Sequence, residues 1–177
     1  MRGRRADVGH ETDSPNTTTQ TYLRDSYDVL STGYHPAMPP KVLMLGWGFP
    51  PNITGGLDTV VGELYEQLEP RDDVQFELVL PDEYAPEDRE GIHGVPTGQG
   101  DIITRIGRLA GDFADIAADF DIIHTNDWFG YNPGTRAAST ADLEWVTSFH
   151  SLSADRNVNP PEREVQTEQR LANRSDH

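Results

Sequence analysis

Three short stretches of the sequence hold residue types able to do chemistry, and each follows an apolar run. The first is Gly46-Trp-Gly-Phe-Pro-Pro-Asn-Ile-Thr-Gly-Gly56, in which Gly55 and Gly56 stand directly before a segment of helical spacing. Paired glycines lack Cβ atoms and let a bound group approach the backbone, and the free amides of a helix start attract anions. A diphosphate suits such a place; a plain turn ahead of a helix needs the same residues. The second stretch is His124-Thr-Asn-Asp-Trp128. Asn126, Asp127 and Trp128 are expected to project from the end of a strand. Asp127 can accept hydrogen bonds from sugar hydroxyls or orient a neighbour, and the Trp128 ring offers a face for a sugar ring. His124, at the strand's end, reads first as a hydrogen-bonded core histidine. The third stretch is Phe149-His150-Ser151, where a histidine leaves a strand beside a hydroxyl and can bond a sugar or stabilise developing charge.

The same residues argue against several chemistries. No Gly-Lys-Ser/Thr follows the glycines, so this is not a P-loop, and Gly46-x-Gly48 meets Pro51 where a dinucleotide fingerprint needs its third glycine. No Gly-x-Ser-x-Gly elbow is present for a Ser-His-Asp hydrolase. His124, Asp127 and His150 match no strong metal-ligand spacing, so no metal site is expected.

The elements that must position these residues alternate in type. Lys41–Gly46 is a short apolar run ending in glycine, which fits a strand buried on both faces of a parallel sheet. Leu57, Val60, Val61, Leu64 and Leu68 follow helical spacing up to Pro70. Further strands are predicted over 74–80, 120–124 and 145–149. Helices are predicted over 102–117, from about Pro133 to Ala138, where Gly134 would loosen the start, and over 162–173. The Pro- and Gly-rich stretch 81–100 reads as an exposed surface loop. Alternation of this kind means an α/β domain: a Rossmann-like parallel sheet with helices on both faces and right-handed crossovers. Ligands of such sheets bind at the carboxyl ends of the strands, which is where the three stretches fall. Residues 1–40 are polar, lack a sustained apolar period and read as a flexible extension before a domain over 41–177.

Composition narrows the setting. The 177 residues carry 14 Lys and Arg against 30 Asp and Glu, a formal charge of −16, and Lys41 is the sole lysine. Such a chain repels nucleic-acid backbones and anionic membrane surfaces. Acidity with this lysine depletion suits a halophilic protein, in which screening tames self-repulsion and hydrated carboxylates keep the chain in solution. The absence of cysteine excludes disulfides, thiolate metal sites and a cysteine nucleophile. No apolar run approaches the ~20 residues of a membrane helix. No apolar stretch follows the twin arginine Arg4-Arg5, so a cytoplasmic location is expected.

Taken in order, Lys41-Val-Leu-Met-Leu-Gly-Trp-Gly-Phe-Pro-Pro51, Gly55-Gly56-Leu57, Asp121-Ile-Ile-His-Thr-Asn-Asp-Trp128 and Val146-Thr-Ser-Phe-His150-Ser resemble the amino-terminal half of a retaining glycosyltransferase. The family resembled is glycosyltransferase family 4, with the related glycogen and starch synthases. Glu164–Asp176 resembles the helix that precedes that family's next strand. The resemblance implies the first of two Rossmann-like domains in a GT-B arrangement, incomplete at its carboxyl end. It implies transfer of a sugar from a nucleotide-sugar donor to a saccharide or other hydroxyl acceptor, with no cofactor and no metal. By resemblance, Gly55 and Gly56 approach the donor diphosphate, His150 lies near the transferred sugar, Asp127 belongs with it to the catalytic set, and Asn126 and Trp128 line the acceptor side. Many relatives read His-x-His-Asp-Trp, and Asn126 replaces their second histidine. The lysine that glycogen synthases carry before the paired glycines is missing here, near Thr54. The donor-binding domain lies outside the stretch matched, so inactivity of this chain alone is expected. The alternatives are a non-catalytic partner of a split glycosyltransferase and a stand-alone nucleotide-binding α/β protein.

Overall fold

The computed structural model describes residues 38–177. The extension expected over 1–40 lies, up to residue 37, outside the described residues. Five strands form one wholly parallel sheet: β1 (Lys41–Leu45), β2 (Gln75–Pro81), β3 (Ile92–Val95), β4 (Ile122–Asn126) and β5 (Glu144–Ser148), in spatial order β3-β2-β1-β4-β5. The helices between them are α1 (Gly56–Leu68), α2 (Ile102–Ala117), α3 (Tyr131–Thr140), α4 (Ser153–Arg156) and α5 (Glu162–Arg174).

Helices cover both faces of the sheet, and the alternation within β1 shows why. Met44 joins Val61 and Tyr65 of α1 with Phe76, Leu78 and Leu80 of β2 on one face. Leu43 and Leu45 join Leu109 and Phe113 of α2 with Ile123, Ala137 and Trp145 on the other. A fully buried Val, Leu, Ile, Met or Phe side chain is worth about 1.5–3 kcal/mol, so the sheet is a rigid floor for the loops at its edge. Gly134 does not loosen the start of α3. A Cβ there would stand 2.1 Å from Cζ2 of Trp145, so glycine lets the helix lie directly on the indole. Trp145 Nε1 donates to Thr125 Oγ1 at 2.9 Å, which satisfies the buried N–H.

Two further expectations need correction. The segment 81–100 is not loop throughout: Ile92–Val95 adds β3 to the edge of the sheet beside β2. Its four residues include Gly94 and only Val95 is buried, so neither length nor apolar period marks it as a strand. The strand expected at 120–124 runs instead from Ile122 to Asn126. Thr125 and Asn126 are polar but wholly buried, with their side chains hydrogen-bonded inside, which hydropathy does not reveal.

Candidate active site

In this strand order the chain reverses direction of winding between β1 and β4, and the crevice at their carboxyl ends is the place where such sheets bind ligands. The loops leaving β1, β4 and β5 converge there on one open cleft of about 600 Å³, whose walls include Trp47, Gly55, Gly56, Asp127, Trp128 and His150. Trp128 and Phe129 also wall a neighbouring groove of about 510 Å³ that runs toward α5.

The first loop is organised by a residue that hydropathy and motif reading pass over. Asp58, in the first turn of α1, is 2% exposed. Its Oδ1 accepts from Gly48 N at 2.9 Å, and its Oδ2 accepts from Thr54 N, Thr54 Oγ1 and Gly55 N at 2.5, 2.7 and 3.0 Å. The carboxylate therefore ties the loop to the positive end of its own helix. Gly48 is required by this arrangement, since a Cβ there would lie 2.4 Å from Asp58 Oδ2. Gly55 and Gly56 differ: a Cβ on either would meet nothing within 4 Å, and both are exposed. The N–H groups of Gly56 and Leu57, in the first turn, have no intrahelical acceptor. Trp47 is fixed from two sides, edge-on to Phe129 at 6.1 Å and beneath the Arg105 guanidinium at 4.9 Å.

The second and third loops are joined by Asp127. This residue is 8% exposed and holds a left-handed φ of 48°, rare outside glycine and a place where strain is stored. Its Oδ1 accepts from His150 N at 2.9 Å and makes a longer 3.5 Å contact with Ser151 N. Asn126 does not project from the strand end. It is completely buried, its Nδ2 donates to Leu45 O at 2.8 Å, and its Oδ1 lies 3.0 Å from His150 Nε2. His150 itself is exposed and faces the cleft; Trp128 is half-buried on its wall. His124 stays beneath the site, with Nε2 2.8 Å from Ser148 Oγ. Burial, and secondarily the nearby His150, hold its pKa below the ordinary histidine value.

The deciding comparison concerns sequence families. Residues 55–177 match the glycosyl transferase 4-like domain. The chain belongs to that family. No curated protein matches this chain. Among solved structures, sucrose-phosphate synthase from Thermosynechococcus elongatus is similar, with a TM-score of 0.65 and 16% identity over 77% of this chain and 41% of that one. That likeness establishes a shared Rossmann-like fold. The chain thus spans well under half of the solved protein it matches.

Placed in the domain, the expected site residues fall into two sets. Gly55, Gly56, Asp127, Trp128 and His150 line one cleft. Asn126 lies under it. Residues that motif reading misses are Asp58, whose position three after the N-cap Gly55 is a capping signal, and Arg156. Arg156 closes the cleft's far wall, donating to Ser151 Oγ at 3.1 Å with Glu164 and Glu168 at 3.8 and 3.9 Å behind it. Among the described residues no group of three or more His, Asp or Glu is placed to hold a metal ion, and no helix is long and apolar enough to cross a membrane.

Proposed function

We propose that this glycosyl transferase 4-like domain is the acceptor-side wall of a retaining GT-B glycosyltransferase, which moves a sugar from a nucleotide-sugar donor to a hydroxyl acceptor. The observation that carries this reading is the empty space at Gly55 and Gly56. Neither packing nor an unusual φ calls for glycine there, so the room serves a group that arrives from outside the domain. The Gly56 and Leu57 amides, which have no acceptor among the described residues, suit the donor diphosphate in that room.

The remaining residues take roles around it. His150 contacts the sugar in flight, and the Trp128 face carries the acceptor ring. Asp127 acts through the backbone of residues 150 and 151, holding the histidine at the cleft. In the transfer, the bond from the anomeric carbon to the leaving phosphate oxygen breaks and a bond to the acceptor oxygen forms on the same face. The acceptor proton passes to the leaving phosphate. A donor-binding domain supplies the opposite wall, since a reaction held between two domains needs both for positioning.

The test uses His150→Ala in a full-length two-domain enzyme carrying this domain. Turnover should fall by roughly 10²-fold or more, with a melting temperature close to that of the parent. A variant that melts early yet turns over normally when folded would remove His150 from the site. The 177-residue chain alone should show no tight binding of UDP-, GDP- or ADP-sugars by calorimetry. Micromolar binding would instead favour a stand-alone nucleotide-binding protein.

A further inference from the structure

We infer that Asn126 is the positioning residue for His150: its buried amide dictates which imidazole nitrogen carries the proton, so that the neutral ring offers a bare Nδ1 to a hydroxyl in the cleft. Leu45 orients the amide. A peptide carbonyl can only accept, so the Asn126 atom 2.8 Å from Leu45 O must be the NH₂ end of the amide. That sets the amide orientation without a choice between flips. Oδ1 then faces His150 Nε2 at 3.0 Å. An amide oxygen has no proton to give, so Nε2 must be the donor.

A neutral imidazole has one N–H, and with that proton on Nε2 the other nitrogen keeps its lone pair. Among the described residues Nδ1 of His150 has no hydrogen-bond partner, while its ring is exposed on the cleft wall. A bare ring nitrogen accepts from a hydroxyl, whereas a ring N–H would compete with it. The anchor is firm because Leu45 ends β1 and Asn126 ends β4, adjacent strands at the centre of the sheet. The other groups near His150 do not take over this task. The Asp127 carboxylate is bonded to the His150 backbone amide, and His124 turns its Nε2 to Ser148. Only the identification of the hydroxyl as a sugar's rests on the proposed function; the placement of the proton does not.

Nuclear magnetic resonance on the 177-residue chain labelled with ¹⁵N-histidine tests this without any substrate. Long-range ¹H–¹⁵N correlations distinguish a protonated ring nitrogen from a bare one, and His150→Gln assigns the His150 signals. At a pH where His150 is neutral, an unconstrained exposed ring averages both tautomers. His150 should show one form only, with the proton on Nε2. Asn126→Leu should return it to the averaged pattern. Asn126→Asp keeps an oxygen acceptor beside Nε2 and should keep the ring proton there. An averaged or Nδ1-protonated His150 in the parent chain overturns the inference, and so does a folded Asn126→Leu chain that keeps the parent pattern. Should neither variant fold, the parent spectrum alone decides. Sugar transfer could fail in every assay and leave this outcome untouched, so the two readings are separable.

Discussion

Two buried aspartates hold the loops that wall this cleft, and they do it over different distances along the chain. Asp58 collects Gly48, Thr54 and Gly55, all within ten residues of itself, at the start of its own helix. Asp127 reaches His150 and Ser151, 23 and 24 residues away, across the gap between β4 and β5. The glycine loop is therefore set by local structure and forms with α1. The histidine loop is set only when the sheet is complete, and its aspartate supplies fewer of the bonds that hold it. The side proposed to receive the diphosphate is prebuilt, and the side proposed to touch the sugar has more freedom to adjust.

Removing each carboxylate tests that contrast. Asp58→Ala strips acceptors from three backbone amides and a hydroxyl in a buried place. Hydrogen bonds to a charged group are worth about 1.5–3 kcal/mol each, and they are not additive. A loss of about 3 kcal/mol or more is expected by denaturant titration, together with fraying of α1. Asp127→Ala should cost less, about 1–2 kcal/mol, because one good bond and one long contact are lost. Asp127→Gly adds a refinement: glycine relieves the left-handed φ of 48°, so it should be more stable than Asp127→Ala by about 1 kcal/mol. Equal costs for Asp58→Ala and Asp127→Ala would dissolve the distinction between a local and a long-range tether.

Local and long-range tethers also differ in how far the amino-acid sequence alone reveals them. The α/β class, helices on both faces, and the three working loops at the carboxyl edge follow from apolar runs and their spacing, because those patterns report burial directly. The family resemblance rests on four stretches in register. Asp58 is legible in principle, as an acidic residue three positions after an N-cap. Asp127's tether, the burial of Asn126 and the approach of Arg156 to the cleft are not, because each depends on residues brought together by the pairing of β4 with β1 and β5 or by the turn after Leu152. β3 escapes for a related reason: an edge strand of four residues takes its identity from its neighbour β2 rather than from its own pattern.

His124 lies below the histidine loop and gives a smaller effect with a definite sign. Its pKa is held below the ordinary histidine value, mainly by burial and then by His150, so the unfolded chain takes up this proton first as pH falls. Stability from neutral His124 is thus complete above about pH 6.5 and is lost as pH drops toward the folded-state value. Replacing it with glutamine should flatten the decline of stability below about pH 6.5 by at most one proton's worth of slope. Thermal melts of both proteins across pH 5–8 would check this. An unchanged slope would mean that His124 is as accessible to protons folded as unfolded.

The smallest expected effect separates two glycines of the same loop. Gly48 is demanded by Asp58, whose carboxylate a Cβ would strike, whereas Gly56 begins α1 facing open space. Gly56→Ala should leave stability within about 0.5 kcal/mol of the parent, or raise it slightly, since alanine is the better helix former. Gly48→Ala should be clearly destabilising, because the new methyl displaces a carboxylate that satisfies buried amides. The same Gly56→Ala change in a full-length two-domain enzyme should weaken donor binding, because the methyl fills the room proposed for the diphosphate. Stability held and donor affinity lost would assign Gly56 to the ligand. A Gly56→Ala domain that loses more than about 1 kcal/mol would assign it to the fold instead, and the empty space at the start of α1 would no longer speak for a phosphate.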